Sequence, residues 1–267
     1  MYPAGVCFHP SPFHSVSCWP GDPGLYFPVI GSTNTWLRQA AQDGLPVGTW
    51  VFAAIQRGGR GRQGRFFTSP VGGLWTSFLL TLFPQTATLY PLVIGIAAAE
   101  MVERSSGLEV SLRWPNDLLV HGEKVGGILC ETISFPRAQQ KIVCGVGIDV
   151  NVDPMLLPPG SNAVSALCGR SLSSHDAAWG LYERIEAWSP LLEQPETLRH
   201  AVSDAFHRRD MLYGQWVRIL PAQGETVVEG EACGIDDSGA LLVRAQSKKI
   251  LRFTAGDVRR IRPSHPS

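Results

Sequence analysis

Four strand-like runs follow one another between residues 109 and 152, with only short polar turns between them. They are EVSLRW (109–114), DLLV (117–120), KVGGILCETI (124–133) and KIVCGVGIDVNV (141–152). The turns after the second and third runs, HGEK and PRAQQ, are short enough to join neighbouring antiparallel strands. The spacing therefore predicts an antiparallel sheet in the middle of the chain.

Helical patterns surround this predicted sheet, and together they indicate an α+β fold. Ser32 is a typical N-cap for a helix over 33–43, and Gly44 is a typical residue just beyond a helix end. The apolar stretch 89–102 predicts a buried helix and is too short to span a bilayer. Further strands are predicted over 25–30, 49–56 and 74–82, and further helices over 174–189 and 196–208.

Two changes in the character of the sequence predict the domain boundaries. Residues 1–24 are rich in proline, glycine, serine and aromatic residues without periodicity, so we expect a poorly ordered N-terminal extension. From Gly214 onward, short strand-like runs alternate with turns, which is typical of a small β-barrel. The predicted domains are therefore the extension, a main domain over 25–210 and a barrel over 211–267.

The overall charge excludes two broad classes of function. The formal net charge is +0 and the isoelectric point is about 7.0, so a general nucleic-acid or membrane binder is not expected. The N-terminus has neither region of a secretory signal, and the six cysteines contain no C-x-x-C pair. We expect a cytoplasmic protein in which basic chemistry is confined to one place.

That place is QRGGRGRQGR (56–65), which lies between two apolar runs. Its segment GRGRQG has the spacing of a dinucleotide fingerprint, but Pro70 prevents an immediate helix and no acidic residue occurs over 65–99. An RGG-type nucleic-acid segment would normally be longer and repeated, and a mobile surface loop is the ordinary alternative. Closely spaced guanidinium groups repel one another without an anion between them. We therefore expect a loop that is loose when empty and closes over a phosphate or a carboxylate.

Five motifs, in their order and spacing, give the chain a resemblance to the biotin protein ligases. They are GSTNTWL (31–37), QRGGRGRQGR (56–65), RWPNDLL (113–119), KVGGILCE (124–131) and GVGIDVN (145–151). The resemblance implies a catalytic domain with a mixed sheet, related to class II aminoacyl-tRNA synthetases and lipoate ligases, and an SH3-like C-terminal barrel. It also implies a two-step reaction. Biotin and Mg-ATP give biotinyl-5′-AMP, and the biotinyl group then passes to a lysine of the biotin carboxyl carrier domain of a carboxylase.

The resemblance assigns individual residues to parts of the substrates. Those that match the biotin site are Ser32, Thr33, Asn34, Gln56, Arg60, Gly61, Arg62, Lys124, Gly126 and Gly127. Those that match the ATP site are Arg62, Arg65, Phe67, Asn116, Asp117 and Asp149, with Asp117 or Asp149 as a ligand of Mg²⁺. Lys124 and Arg60 are the predicted catalytic residues, because cations must neutralise the two anions that react with each other.

Several of these residues have an ordinary structural alternative. Ser32 could be only a helix cap, Phe67 only a core residue, and Lys124 an edge-strand lysine that points into water. Asn116 and Asp117 could simply form a turn after a proline. Asp149 departs from the family, which usually has asparagine there, so we expect its carboxylate to contact a metal or a loop arginine.

Two related functions remain as alternatives. A lipoate or octanoate ligase shares the fold and an equivalent lysine, but the arginine–glycine loop favours biotin. A ligase that is also a repressor needs an N-terminal winged helix, for which residues 1–24 have no room, so no DNA partner is expected. A homodimer is common in the family.

Overall fold

The computed structural model describes residues 24–134, 139–220 and 227–261, together with the backbone of residues 17 and 18. Most of the predicted N-terminal extension, 1–24, therefore lies outside the described residues. Within it, Ser17–Cys18 forms a short strand, β1, that pairs antiparallel with the next strand.

The main sheet contains eight strands in the order β1-β2-β3-β4-β8-β7-β6-β5. Its longer members are β2 (Gly24–Ile30), β3 (Trp50–Gln56), β4 (Leu74–Thr81), β5 (Ser111–Arg113), β6 (Asp117–Val120), β7 (Glu123–Ile133) and β8 (Lys141–Ile148). Strands β2 and β3 pair in parallel, so a crossover must join them, and helix α1 (Thr33–Gln42) provides it. The other described pairs in this sheet are antiparallel.

The predicted hairpins in the middle of the chain are confirmed, but two strands are shorter than predicted. Strand β5 covers only Ser111–Arg113, whereas the sequence predicts a strand over 109–114. Strand β8 ends at Ile148, whereas the sequence predicts a strand as far as residue 152.

Beyond Ile148 the N–H of Asp149 still donates to Val125 O of β7 over 2.8 Å, and further backbone bonds are made to segments outside the sheet. The N–H of Asn151 donates to Gly72 O over 2.8 Å, and the N–H of Val164 donates to Asp149 O over 2.8 Å. The chain around Asp149 is therefore held both by strand β7 and by segments outside the sheet.

Helices cover both faces of the main sheet. On one face, α1 packs beside a core that includes Phe27, Leu37 and Trp75, and Ser32 is its N-cap, since its Oγ accepts from the N–H of Thr35. The opposite face carries the predicted buried helix, α2 (Tyr90–Ser106), together with α3 (Val164–Cys168), α4 (Ser174–Trp188) and α5 (Pro195–His207). The helical segment Pro84–Ser106 has the length and composition to cross a membrane, but 72% of its apolar window is buried inside the protein.

Five antiparallel strands form the C-terminal sheet, in the order β12-β11-β10-β9-β13. They are β9 (Trp216–Leu220), β10 (Val228–Ile235), β11 (Leu241–Ala245), β12 (Ile250–Phe253) and β13 (Asp257–Arg260). The sheet packs against the main domain beside the W-P-N-D turn, whose Trp114 Nε1 donates to Gly239 O over 2.9 Å. The C-terminal strands are thus fixed next to the residues that connect β5 to β6.

Candidate active site

A pocket opens between the start of α1, the arginine–glycine loop and strands β7 and β8, with about 500 Å³ of empty space, part of which is open solvent. All five sequence motifs contribute to it. The predicted residues that line it are Ser32, Thr33, Asn34, Gln56, Arg60, Gly61, Phe67, Asn116, Lys124 and Gly127. The lining residues that were not predicted are Thr76, Ile128, Leu129, Gly145, Val146 and Gly147.

One part of the pocket is rich in neutral hydrogen-bonding groups. The backbone N–H of Thr33 donates to Gln56 Oε1 over 2.8 Å, and Gln56 Nε2 donates to Ser69 Oγ over 3.1 Å. Asn34 is buried nearby, and its Oδ1 accepts from Ser77 Oγ over 2.6 Å. Amides and hydroxyls of this kind suit an uncharged ligand that both donates and accepts hydrogen bonds.

Strands β7 and β8 present glycines to the pocket. A Cβ added at Gly145 would lie 2.2 Å from Asn34 Oδ1, and one added at Gly147 would lie 2.7 Å from the Phe67 ring. Neither position can therefore carry a side chain without moving its neighbours. Gly126, which was predicted to approach the ligand, instead faces the neighbouring strand, since an added Cβ would lie 2.6 Å from Gly147 O.

Phe67 forms a wall of the pocket above these glycines. Its ring contacts Trp75 edge-to-face, with the ring centroids 5.9 Å apart. Lys124 Nζ lies 5.8 Å from the centroid of the same ring. Phe67 is thus a packing residue at the pocket, and its stacking on adenine stays a prediction.

Lys124 is held at the pocket by Asp117. Its Nζ lies 2.6 Å from Asp117 Oδ1, and Arg113 donates to Asp117 Oδ2 from Nη2 at 2.6 Å and from Nε at 3.1 Å. Burial alone would raise the pKa of Asp117, but the two cations lower it below its usual value. Asp117 therefore stays charged and fixes the ammonium group. The interpretation of Lys124 as an edge lysine in water is wrong, because the group is ion-paired and lines the pocket.

The loop arginines divide between the pocket and the C-terminal sheet. Arg60 lines the pocket. Arg62 does not line it, and its Nη1 lies 3.4 Å from both Asn116 Oδ1 and Gly256 O. Arg65 pairs with Asp257, at 2.6 Å. The predicted contacts of Arg62 with biotin and of Arg65 with the nucleotide would require these side chains to leave their present partners.

Known proteins match the chain in both sequence and structure. Residues 26–149 match the Biotin/lipoate A/B protein ligase family, and residues 213–259 match the Biotin protein ligase C terminal domain. The Bifunctional ligase/repressor BirA of Bacillus subtilis is 28% identical, over 85% of this chain and 71% of that protein. The biotin–[acetyl-CoA-carboxylase] ligase of Paracoccus denitrificans is 30% identical, over 80% of this chain and 90% of that protein. The chain belongs to the biotin protein ligase family.

A solved structure extends the match to the whole described fold of this biotin protein ligase. The ligase of Aquifex aeolicus in complex with biotin and ATP has a TM-score of 0.77 and 25% identity, over 89% of this chain and 99% of that chain. The predicted α+β fold with an SH3-like C-terminal domain is therefore confirmed. The predicted activity, ATP-dependent ligation of biotin to a protein, is confirmed as the activity of the family.

Asp149 is the residue that the sequence predicts to contact a metal or a loop arginine. The residue is only 4% exposed, does not line the pocket, and its Oδ1 has no hydrogen-bond partner. Burial raises its pKa to about 7, although the charge of Lys124 opposes the rise. The cation that acts on Asp149 is thus Lys124, and the predicted contact with a loop arginine is not formed. Burial therefore favours the neutral form of Asp149.

Neither predicted metal ligand is suited to hold a cation on its own. Both oxygens of Asp117 are engaged by Lys124 and Arg113, and burial favours the neutral form of Asp149. Among the residues that the structure describes, no three His, Cys, Asp or Glu side chains are grouped to hold a metal. The pocket therefore does not fit a Mg²⁺ ion held by the protein alone, and such an ion would depend on the phosphates of ATP.

Three residues that support the site were missed at the level of sequence. Arg113 holds Asp117, Ser77 holds Asn34, and Glu131 accepts from Asn34 Nδ2 over 2.9 Å. The alternating glycines 145 and 147 were a usable signal, because glycine within a strand marks a close approach. Ser77 gave no such signal, since one serine in an apolar strand has no pattern of its own.

Proposed function

We propose that the pocket binds biotin with its ureido ring among Thr33, Asn34 and Gln56 and its carboxylate beside Lys124. The observation that carries this proposal is the composition of a single pocket. It combines neutral hydrogen-bonding groups, apolar side chains at Ile128, Leu129 and Val146 for the aliphatic chain, and one ion-paired lysine. A charged head group would leave the neutral groups poorly matched.

Lys124 and Arg60 serve the first step of the reaction in this proposal. The carboxylate oxygen of biotin attacks the α-phosphorus of ATP, the new O–P bond forms, and pyrophosphate leaves. Both reactants are anions, so their approach is opposed unless cations lie between them. A charge-assisted hydrogen bond contributes about 1.5–3 kcal/mol, and two of them supply a substantial part of the barrier reduction.

The second step requires an acceptor amine at the same pocket. The amine of the carrier-domain lysine attacks the acyl carbon of biotinyl-5′-AMP, the amide bond forms, and AMP leaves. Arg60 is exposed at the mouth of the pocket, so it remains available to the phosphate of the leaving AMP. In this proposal the nucleotide is contacted by Asn116, which lines the pocket close to Arg62.

We also propose that the protein has no DNA partner, forms a homodimer and is cytoplasmic. The zero net charge supports a protein without a DNA partner, and a DNA mobility-shift assay with biotin present checks this expectation. Light scattering with and without biotin checks the expected homodimer. Localisation of the tagged protein in cells checks the expected cytoplasmic compartment.

An adenylation assay tests the proposed function. The protein is incubated with ATP and either biotin or lipoate, and the adenylate is identified by mass spectrometry while pyrophosphate release gives the rate. We expect biotinyl-5′-AMP in large excess over the lipoyl product. Lys124→Ala should lower the rate by at least about 100-fold, close to 3 kcal/mol. Lys249→Ala is the control, because Lys249 is exposed on the C-terminal domain. Preferred use of lipoate, or a near-normal rate for Lys124→Ala, would reject the proposal.

A further inference from the structure

Glu131 lies outside the pocket but contacts it through Asn34. Asn34 Nδ2 donates to Glu131 Oε2 over 2.9 Å and to Leu129 O over 3.2 Å. Carboxylate and carbonyl oxygens only accept hydrogen bonds. The amide nitrogen of Asn34 must therefore face them, and its Oδ1 must point the opposite way. Gly145 packs directly against that oxygen, which leaves the amide little room to move.

The orientation of Asn34 fixes the direction of the next two hydrogen bonds. Ser77 Oγ lies 2.6 Å from Asn34 Oδ1 and 2.7 Å from Thr33 Oγ1. A hydroxyl has one hydrogen to donate. Because Asn34 Oδ1 can only accept, the hydrogen of Ser77 is used there, and Thr33 must donate its own hydrogen to Ser77. Both hydroxyls lie on buried residues, so water does not compete for these bonds.

Thr33 Oγ1 then has only lone pairs left for the pocket. Its contact with Gln56 Oε1 is longer, at 3.1 Å, than its contact with Ser77, and that oxygen also accepts from the backbone N–H of Thr33 at 2.8 Å. Thr33 lines the pocket. The hydroxyl is therefore set as a hydrogen-bond acceptor for a ligand.

We propose that Glu131 is a positioning residue that determines head-group specificity by making Thr33 an acceptor for a ureido N–H. This inference rests on the proposed function, in which the ureido ring lies beside Thr33. A head group without an N–H, such as a dithiolane ring, gains nothing from that acceptor. If the amide of Asn34 were reversed, Ser77 could donate to Thr33, and the hydrogen of Thr33 would be free to turn toward the pocket and oppose the N–H of biotin.

Arg38 provides a matched control for the carboxylate. Its Nη1 donates to the other oxygen, Glu131 Oε1, over 3.2 Å, and its side chain is 39% exposed. Removal of Arg38 breaks the ion pair but leaves the bond from Asn34 to Glu131. If biotin binding depends only on the Glu131 oxygen that accepts from Asn34, a change of Arg38 alone should leave biotin binding unaffected.

Calorimetric titration of the full-length protein with biotin tests the inference. Glu131→Met has a similar side-chain length without an acceptor oxygen, and we expect it to raise the Kd for biotin at least about tenfold. Glu131→Gln keeps an oxygen that can accept from Asn34, so its Kd should stay within about threefold of the unchanged protein, as should that of Arg38→Met. The kcat for adenylation and the KM for ATP should change by less than about twofold in Glu131→Met, since neither depends on Thr33.

A double-mutant cycle separates positioning from a general structural role. Thr33→Val removes the hydroxyl through which Glu131 acts, so adding Glu131→Met to it should raise the Kd by less than about twofold. If Glu131→Met does not fold, Ser77→Ala carries the test, and it should raise the Kd at least about fivefold. Independent effects in the cycle, or a normal Kd in Glu131→Met or Ser77→Ala, would overturn the inference. An unchanged protein that fails to bind biotin would instead contradict the proposed function.

Discussion

Two aspartates close to the same lysine show how burial and pairing decide the chemistry of a side chain. Asp117 contacts Lys124 and Arg113 directly, and its pKa is lowered despite burial. Burial raises the pKa of Asp149 to about 7, and the charge of Lys124 opposes this rise without a hydrogen bond between the two side chains. Lys124 therefore has one partner whose charged form is favoured by ion pairing and one neighbour whose charged form is disfavoured by burial.

Replacement of Asp149 by asparagine should make stability less dependent on pH. The pKa of Asp149 rises from 3.8 to about 7 on folding, so the folded state binds the proton more tightly. The stability due to this proton is fully present below about pH 4 and is lost as pH rises through 7. Asparagine has no such proton, so Asp149→Asn does not lose this stability as pH rises. Its free energy of unfolding, relative to the unchanged protein, should increase by about 2–3 kcal/mol between pH 5 and pH 8.

Urea unfolding at these two pH values measures the difference. Asp153→Asn is a control for a surface aspartate, because Asp153 is exposed. An equal advantage of Asp149→Asn at pH 5 and pH 8 would contradict the account of Asp149.

Replacement of a glycine by alanine should have opposite effects in two elements of the main domain. In α2, a Cβ added at Gly95 would be 3.9 Å from its nearest neighbours, which is ordinary contact. Gly95→Ala should therefore stabilise the protein by about 0.5–1 kcal/mol in urea unfolding, through the higher helix propensity of alanine.

In β8, Gly145→Ala forces Asn34 to move, and we expect biotin binding to fall at least about 100-fold in calorimetry. Destabilisation by Gly95→Ala, or normal binding by Gly145→Ala, would contradict the packing described.

The arginine–glycine loop is attached to the C-terminal sheet by Arg65 and Asp257. The ion pair is partly exposed, so it should contribute little to global stability. It should nevertheless restrain the loop. We expect Asp257→Asn to speed tryptic cleavage within 57–65 about three- to fivefold without a change in the unfolding temperature. Asp237→Asn is the matched control, since Asp237 is exposed in the same domain. Biotin with ATP should slow cleavage, and equal rates in all variants would contradict the restraint.

Motifs that are contiguous in sequence could be predicted, whereas contacts between motifs could not. The turn and loop motifs placed Gln56, Arg60 and Lys124 at one pocket, because Gln56 ends one apolar strand, Arg60 follows it in the loop, and Lys124 lies at the start of another strand. The pairing of Arg62 and Arg65 with the C-terminal domain depends on where that domain packs. The hydrogen bonds that link Glu131 through Asn34 and Ser77 to Thr33 join α1 to β7 and β4. The sequence around Glu131 contains no pattern that indicates them.

The main domain and the C-terminal sheet share one hydrophobic core. Leu92 and Trp114 of the main domain belong to the same cluster of buried side chains as Leu241 and Val243 of the C-terminal sheet. Separation of the two would expose this surface, so we expect one cooperative transition in calorimetry, with equal calorimetric and van't Hoff enthalpies. Two resolved transitions would show that the C-terminal sheet unfolds independently.

The central claim is that one pocket holds the biotinyl group between Thr33 and Lys124. A crystal structure with a non-hydrolysable analogue of biotinyl-5′-AMP tests it most directly. We predict the ureido ring within about 3.2 Å of Thr33 Oγ1, the acyl oxygen within the same distance of Lys124 Nζ, and Arg60 at the phosphate. An analogue bound away from this pocket, or bound in it with the ureido ring at Lys124, would contradict the claim.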